Sequence, residues 1–369
     1  MNLQDTFLHK EFDINSKIWQ SPEGNLLDIH FLAQFPIDFI RSRNYNLWRY
    51  REAIPIQSDK HIVSFNEGFT PLLSIDFNGK KIGIKQEQLF STGSYKDRGA
   101  TVLMSKVKEL GIGKVVQDSS GNAGCAIAAY AAAANIDCSI YLQQDTSPAK
   151  IAQMKAYGAA IHFVNGSRED VADVTLNAAQ DAYYASHSWN PFFFQGTKTF
   201  AYEVCEQLGW RAPDSVVLPA GNGTLIIGCY IGFMDLLHAG VIDKMPKLIA
   251  VQSENCAPLA EAFFKNKTAY SNINSQPTLA EGIAIAKPVR GNQMLQYVKE
   301  SKGTFVIVSE IEIKNAWKVC ALKGFYIEPT SAATIAGLLK YMDGYPHEEI
   351  ISLFSGHGLK STDKILTLV

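Results

Sequence analysis

The feature that most constrains the fold is a regular alternation of short apolar runs with amphipathic stretches between residues 81 and 354. Short apolar runs predict buried strands, and the amphipathic stretches predict helices. This order is typical of parallel strands joined by helices that cover both faces of a sheet. A chain of 369 residues usually divides into two domains. The sequence therefore predicts an α/β protein whose two domains have open, mostly parallel sheets covered by helices.

The predicted elements follow one another with few long gaps. Strands are expected at Lys81–Lys85, Lys114–Gln117, Cys138–Leu142, Ile161–Val164, Ser215–Leu218, Lys247–Gln252 and Ile350–Phe354. Helices are expected at Ser94–Leu110, Ala123–Ala134, Pro148–Tyr157, Ser167–Ala185, Thr197–Leu208, Leu225–Ala239, Glu312–Leu322 and Ser331–Met342. Sheets of this kind bind ligands beyond the carboxyl ends of their strands. Three loops rich in Gly, Ser and Asn lie at such ends, namely Asp118–Gly124, Pro219–Thr224 and Ser355–Lys360.

Composition narrows the expected partners and location. The formal net charge is −2, so we expect no nucleic-acid or membrane partner, since such partners usually require a basic block. Met1–Trp19 does not resemble a signal segment, and Ala123–Ala134 is too short to cross a bilayer. No C-x-x-C pair occurs among the six cysteines, which predicts reduced core thiols, no metal site and a cytoplasmic location. These are Cys125, Cys138, Cys205, Cys229, Cys256 and Cys320.

Lys96 stands at the expected start of a helix. Ser94 is a good N-cap residue and Gly93 a permissive turn residue, which places Lys96 in the first helical turn. The positive end of the helix dipole disfavours a cation there, so the amine is more easily freed to act as a nucleophile. From the local sequence alone, a solvated surface lysine paired with Asp97 is the more common explanation.

Six segments in order resemble threonine synthases, which are fold type II enzymes dependent on pyridoxal phosphate (PLP). Thr92–Gly99 is similar to the T-G-S-F-K-D-R-G motif of that family. The likeness extends from about Trp48 to Lys360. The other similar segments are Glu67–Leu72, Ser119–Gly124, Gly221–Thr224, Glu328–Ala333 and Ser355–Lys360.

The resemblance implies PLP as the cofactor, an amino acid as the substrate, and a role for each matching residue. Lys96 would form the Schiff base with PLP and serve as catalytic acid and base. The residues implied to hold the cofactor phosphate are Gly221, Asn222, Gly223 and Thr224. Asn122 would bond the pyridine hydroxyl and Ser355 would face the ring nitrogen. The residues implied to bind the substrate carboxylate are Ser119, Ser120, Gly121 and Ala123. Taken without the resemblance, these loops are also ordinary turns.

The resemblance also implies the domain arrangement and a homodimer. Residues 1–97 and 205–369 would form the large PLP-binding domain. Residues 98–204 would form a small mobile domain, with PLP in the cleft. Ser355 would leave the ring nitrogen without an obligatory proton, which a carboxylate there would supply. His357 is expected to be structural, because the lysine already serves as the base, and Glu281 has no assigned role.

One departure concerns the substrate. Threonine synthases carry N-P-x-R-x-E-G-Q-K-T, whereas this chain has Phe193 at the position of the arginine, a natural phosphate partner. Lys85 and Lys198 are the candidates to compensate. Three functions therefore stay open. The first is a threonine synthase-like lyase acting on O-phosphohomoserine. The second is a dehydratase, ammonia-lyase or β-replacement enzyme, and the third is a non-catalytic PLP-binding homologue.

Overall fold

The computed structural model describes every residue from Met1 to Val369. Its strands are β1 (Asn2–Asp5), β2 (Glu11–Asp13), β3 (Leu27–His30), β4 (Leu72–Phe77), β5 (Lys80–Lys85), β6 (Lys114–Gln117), β7 (Asp137–Gln143), β8 (Ala160–Val164), β9 (Tyr183–Tyr184), β10 (Ser215–Pro219), β11 (Lys247–Ser253), β12 (Thr304–Val308) and β13 (Ile350–Leu353). Its α-helices are α1 (Ile37–Ser42), α2 (Lys96–Glu109), α3 (Asn122–Ala134), α4 (Pro148–Ala156), α5 (Arg168–Ala178), α6 (Pro191–Thr197), α7 (Thr199–Gln207), α8 (Thr224–His238), α9 (Pro258–Phe264), α10 (Gly291–Glu300), α11 (Glu310–Leu322), α12 (Pro329–Gly344) and α13 (Thr362–Ile365).

The chain forms two compact units, and each is built from two separate segments. Unit 1 contains Met1–Gly68 and Lys96–Thr197, and unit 2 contains Phe69–Tyr95 and Lys198–Val369. The expected small domain, residues 98–204, lies largely in unit 1. The main difference is that residues 1–68 pack with this unit, whereas the sequence analysis assigned them to the large domain. The expected mobility of the small domain stays a prediction.

Unit 1 has a parallel four-stranded sheet in the order β8-β7-β6-β9. Helix α3 has a nearly continuous buried face because its alanines allow close packing, and its residues join those of α2 in one hydrophobic core. A second, antiparallel sheet, β2-β1-β3, is formed by the first 30 residues and was not predicted. Its Leu3 and Leu27 lie in the same core as α2 and α3.

The predicted helix Ser167–Ala185 is wrong in its second half. Helix α5 ends at Ala178, and Tyr183–Tyr184 form the edge strand β9, which pairs with Val115 and Val116. Aromatic residues favour strands, and pairing here satisfies backbone groups of β6 that would otherwise be left at a sheet edge. Because β9 runs parallel to β6, the residues that follow β9 lie at the carboxyl edge of this sheet.

Unit 2 has a six-stranded sheet in the order β12-β11-β10-β13-β5-β4. All neighbours are parallel except β4 and β5, which form an antiparallel hairpin at one edge. Strand β10 is buried along its whole length, as expected for a central strand covered on both faces. Strand β12, helix α10 and the hairpin partner β4 were not predicted. The mostly parallel α/β class is confirmed.

The six cysteines are free and all are buried. Among the helices, none combines the length and the apolar character that crossing a lipid bilayer requires.

Candidate active site

Helix α2 begins at Lys96 itself, directly after the turn at Gly93, whose φ is +81°. The predicted N-cap at Ser94 is wrong, since its Oγ is buried and has no hydrogen-bond partner. The reason is that the preceding residues are held by unit 2. Ser94 forms an isolated β-bridge with Gly356, and the Tyr95 amide donates to the Ser355 carbonyl oxygen at 3.1 Å.

Two rings of unit 1 lie close to the Lys96 side chain. Its Nζ is 5.8 Å from the centroid of the Phe193 ring, on helix α6. The ring of His187 meets the Phe193 ring edge-on, with centroids 6.0 Å apart. Burial, the charge of Lys96 and that of Arg168 together hold the pKa of His187 well below its usual range, so the imidazole is neutral. Sequence reasoning missed His187 because it placed β9 inside a helix.

The expected carboxylate-binding loop lies at the carboxyl end of β6. Ser119, Ser120, Gly121 and Asn122 are half-buried, whereas Ala123 is fully buried and packs in the core. The Gly121 amide donates to Ser119 Oγ at 3.2 Å, which shapes the turn, and Asn122 opens helix α3. The structure therefore groups these residues at one sheet edge, next to the N-terminus of α3, which is a favourable place for an anion.

The Pro219–Thr224 loop of unit 2 forms a glycine-lined cradle at the start of α8. Gly223 has φ +84° and precedes the helix without a side-chain cap, a geometry that suits an anion at a helix N-terminus. A Cβ at Gly221 would lie 2.6 Å from the carbonyl oxygen of Gly282. Thr224 Oγ1 is 2.7 Å from the hydroxyl of Tyr95, a residue that sequence reasoning quoted but did not assign. Asn222 is half-buried between the two glycines.

Ser355 is fully buried beyond the end of β13 and sits in a polar group of three side chains. Its hydroxyl donates to Glu328 Oε1 at 2.8 Å, and Ser331 Oγ lies 2.9 Å away. The single proton of Ser355 is directed at Glu328 in this arrangement, and a hydroxyl can rotate to offer the proton to another acceptor. Glu328 and Ser331 belong to the Glu328–Ala333 segment, so the signal for them was present in the sequence.

The two lysines considered as substitutes for the missing arginine are both engaged inside unit 2. Lys85 Nζ lies 2.9 Å from Glu203, and both side chains are completely buried. Lys198 Nζ lies 2.9 Å from Asp235. Burial lowers the pKa of Lys198, an effect that Asp235 opposes. Each lysine therefore already has a carboxylate partner, which limits what it can offer to a substrate phosphate.

Two further residues have structural contacts. His357 Nδ1 accepts a hydrogen bond from the Leu359 amide at 3.2 Å and so caps a short helical turn. This contact fits the expectation that His357 is structural. Glu281 forms a half-exposed ion pair with Lys364, with Oε1 3.2 Å from Nζ.

The chemical groups described above are suited to binding PLP. The cradle at Gly221–Thr224 suits a phosphate monoester, because it combines close backbone approach with a helix N-terminus. Ser94 Oγ is a buried hydroxyl that lacks a partner within the protein. Such a group is usually satisfied by a ligand or water. Lys96 supplies a primary amine at the first residue of a helix.

Comparison with known proteins gives one consistent result. The family described as pyridoxal-phosphate dependent enzyme matches residues 63–356. A threonine synthase of Methanocaldococcus jannaschii is 35% identical over 96% of this chain and 91% of the relative. One of Methanosarcina acetivorans is 34% identical over 93% and 88%.

Solved structures agree on the fold. The processed form of threonine deaminase isoform 2 from Solanum lycopersicum matches with a TM-score of 0.71 and 21% identity, over 94% of this chain and 96% of that one. Maize serine racemase matches with a TM-score of 0.68 and 23% identity, over 81% and 93%. At these identities the likeness concerns the fold alone. The family model and the sequence relatives establish that the chain belongs to the pyridoxal-phosphate-dependent enzymes, among the lyases of the threonine synthase type.

Proposed function

We propose that the chain catalyses a threonine synthase-type reaction, in which O-phosphohomoserine and water give threonine and phosphate. The observation that carries the proposal is the position of Lys96, the first residue of α2, in a chain whose relatives are threonine synthases. The remaining residue roles below rest on the matching motifs and on the contacts within each unit.

PLP, when bound, withdraws electrons from the substrate Cα and so makes its proton removable. Lys96 would anchor the cofactor covalently through Nζ, and the same amine is the group that would take the α-proton. The amides at Gly221–Thr224 would bind the cofactor phosphate, and Asn122 would bond the ring hydroxyl. Hydroxyls and amides of the loop formed by Ser119, Ser120, Gly121 and Ala123 bind the substrate carboxylate.

Ser355 is the proposed neighbour of the ring nitrogen. Its hydroxyl lies 2.8 Å from Glu328 and 2.9 Å from Ser331, and it can turn its single proton either to Glu328 or to an unprotonated ring nitrogen. A neutral hydroxyl holds a proton on the nitrogen less firmly than a carboxylate would. This arrangement favours expulsion of a leaving group over long-lived charge on the ring.

A second function is favoured by one specific observation. Phe193 is fully buried at the position where threonine synthases carry an arginine, and Lys85 and Lys198 both have carboxylate partners. A leaving group without a phosphate needs none of these charges. Serine or threonine dehydration, ammonia-lyase activity or β-replacement is therefore the alternative. A non-catalytic PLP-binding homologue is the remote third.

The test is product analysis on the purified chain with PLP. O-phosphohomoserine, serine and threonine are supplied separately. Threonine with phosphate supports the main proposal, and a keto acid with ammonia supports the alternative. A chain that binds PLP but exchanges no α-proton of any of the three contradicts both.

We also propose a cytoplasmic homodimer that binds neither nucleic acid nor membrane. The near-neutral charge and the six buried, free cysteines support the location and the absence of polyanionic partners. The homodimer and the closure of a small mobile domain over the substrate rest on the resemblance. Analytical ultracentrifugation of the PLP-loaded chain tests the dimer directly.

A further inference from the structure

The aromatic ring beside Lys96 is held in place from two sides. Phe193 is completely buried, and its centroid lies 5.8 Å from Lys96 Nζ. On α2, Gly99 lies one turn after Lys96, and a Cβ at Gly99 would overlap the Phe193 ring. His187 contributes the edge-on contact at 6.0 Å. A ring packed this closely has no free rotation, so the distance to Lys96 is a fixed property of unit 1.

We infer that Phe193 is a positioning residue for Lys96, and that its ring face is the resting place of the lysine ammonium when the cofactor does not hold it. The inference rests on the proposed role of Lys96 as the PLP lysine. A cation within about 6 Å of an aromatic centroid is attracted by the negative face of the ring. The ring therefore favours the protonated amine and limits the volume that this flexible side chain explores.

The charged groups around the first turn of α2 are the same in the wild type and in a variant at Phe193. His187 is neutral and carries no charge to attract an ammonium. The charged groups of unit 1 in this region include Asp97 and Arg98 on α2, and Arg168, which acts with Lys96 on the pKa of His187. Helix α6, which carries Phe193, has no titratable side chain. Changing Phe193 to leucine thus removes the ring face without altering any charge.

The chain provides a matched control one residue away. Phe192 is also fully buried, and its ring centroid lies 5.3 Å from Nζ of another lysine, Lys106. Lys106 also donates to Glu109 at 2.8 Å and to Asn15 at 2.9 Å. Phe192→Leu therefore removes the same side-chain volume from the same helix, beside a lysine outside the proposed site.

The experiment measures the protonation of Lys96 directly. The full-length chain is stripped of PLP and treated with acetic anhydride between pH 6 and 11. Mass spectrometry of the peptide that carries Lys96 gives the midpoint of its acetylation. We expect Phe193→Leu to lower this midpoint by about 0.5 to 1 pH unit, because the ring no longer favours the ammonium. Phe192→Leu should leave the Lys96 midpoint at the wild-type value.

A midpoint for Phe193→Leu equal to that of the wild type overturns the inference, as does an equal shift in Phe192→Leu. If Phe193→Leu does not fold, Gly99→Ala takes its place, since the added Cβ must displace the ring. A Gly99→Ala chain that folds and keeps the wild-type midpoint also overturns it.

A different measurement tests whether Lys96 is the PLP lysine, on which the proposed function rests. If Lys96→Ala still forms a borohydride-reducible adduct with PLP, Lys96 is not the cofactor lysine, and the proposed function is wrong. If that adduct is lost but Phe193→Leu has no effect on the midpoint, only the role of Phe193 is wrong.

Discussion

The two units hold their candidate site residues in different ways. In unit 2, Ser355 and Thr224 are buried and bonded to side chains of the same unit, and the glycine cradle is shaped by contact with Gly282. In unit 1, Lys96 and the loop Ser119–Asn122 are only half-buried. The unit 2 residues form a fixed surface suited to a group that never changes. The unit 1 residues are suited to partners that bind, react and leave.

This contrast explains why a long, adaptable side chain lies in one unit and a rigid polar group in the other. Ser355 makes both its side-chain contacts at 2.8 and 2.9 Å, so it has little freedom to move. Lys96 is packed against an aromatic face, which attracts a cation without a strict direction. Substitutions in unit 1 should therefore change chemistry, and substitutions in unit 2 should change cofactor affinity or stability.

The largest effect is expected at Lys96. Lys96→Ala removes the amine that anchors PLP and moves the α-proton, so turnover should fall by at least three orders of magnitude. The visible absorbance of the PLP-loaded chain should disappear, while the melting temperature stays near that of the wild type. A variant that keeps both absorbance and a reducible adduct would show that unit 1 does not supply the anchor.

Ser355→Asp should produce the next largest effect, on stability. A carboxylate at this position would hold a proton on the ring nitrogen and should slow elimination. The structure adds Glu328 at 2.8 Å, so the change places a second carboxyl beside the first in a buried site. At pH 7 we expect a loss of about 3–5 kcal/mol in the free energy of unfolding.

The loss in the free energy of unfolding caused by Ser355→Asp should depend on pH. The introduced carboxyl has a folded-state pKa raised above its unfolded value of about 3.9. The loss is therefore absent below about pH 4 and grows as the pH rises through the folded pKa. Urea unfolding at pH 4 and pH 7 measures it, with Ser355→Asn as the uncharged control. Equal stability of the Asp variant at both values would mean that the pocket is more open than the contacts imply.

Phe193→Arg sharpens the contrast within unit 1. Loss of a bidentate arginine costs about two orders of magnitude in phosphate affinity, so the wild type should use O-phosphohomoserine less well than a threonine synthase that carries the arginine. Phe193→Arg should raise phosphate release by up to about a hundredfold. Phe192→Arg is the control, since Phe192 lies beside Lys106. Rapid turnover by the wild type, impaired by Phe193→Arg, would refute the argument from the missing arginine.

The smallest effect concerns the cradle. Gly223→Ala forces a side chain into φ +84° and against Met294, which should weaken PLP binding by roughly tenfold, equivalent to about 1.4 kcal/mol. Gly240→Ala is the matched control, because Gly240 has φ +68° with nothing nearby. Both variants carry similar backbone strain. PLP titration of the stripped chains should therefore separate them, and equal affinities would place the phosphate elsewhere.

Much of the fold was accessible from the sequence because parallel strands and their covering helices carry strong periodic signals. The strands that were not predicted have weak periodic signals. Strand β9 has two residues and owes its structure to pairing with β6, and β2 has three residues with little burial. The partner of β9 lies far away in sequence, and β2 pairs with the nearby β1 but is too short and too exposed to show a clear period.

Site residues that belong to sequence motifs were predictable. Site residues whose role depends on tertiary packing were not. Glu328 and Tyr95 lay in quoted motifs, but their roles depend on contacts with Ser355 and Thr224 that only the folded chain brings together. Serine is a residue type that commonly caps helices. Ser94 does not cap α2, however, because its backbone pairs with Gly356. His187 had no motif at all, and only the position of β9 revealed it.

The order of strands in unit 2 has a consequence for synthesis on the ribosome. Strand β13, the last to be made, lies between β10 and β5, while β4 and β5 are made more than 250 residues earlier. Until Ile350–Leu353 emerge, the early hairpin exposes an unpaired edge next to a growing chain. A message truncated before codon 350 would leave that edge open permanently. The cellular quality-control machinery would then encounter a protein that has most of its sequence but an incomplete six-stranded sheet.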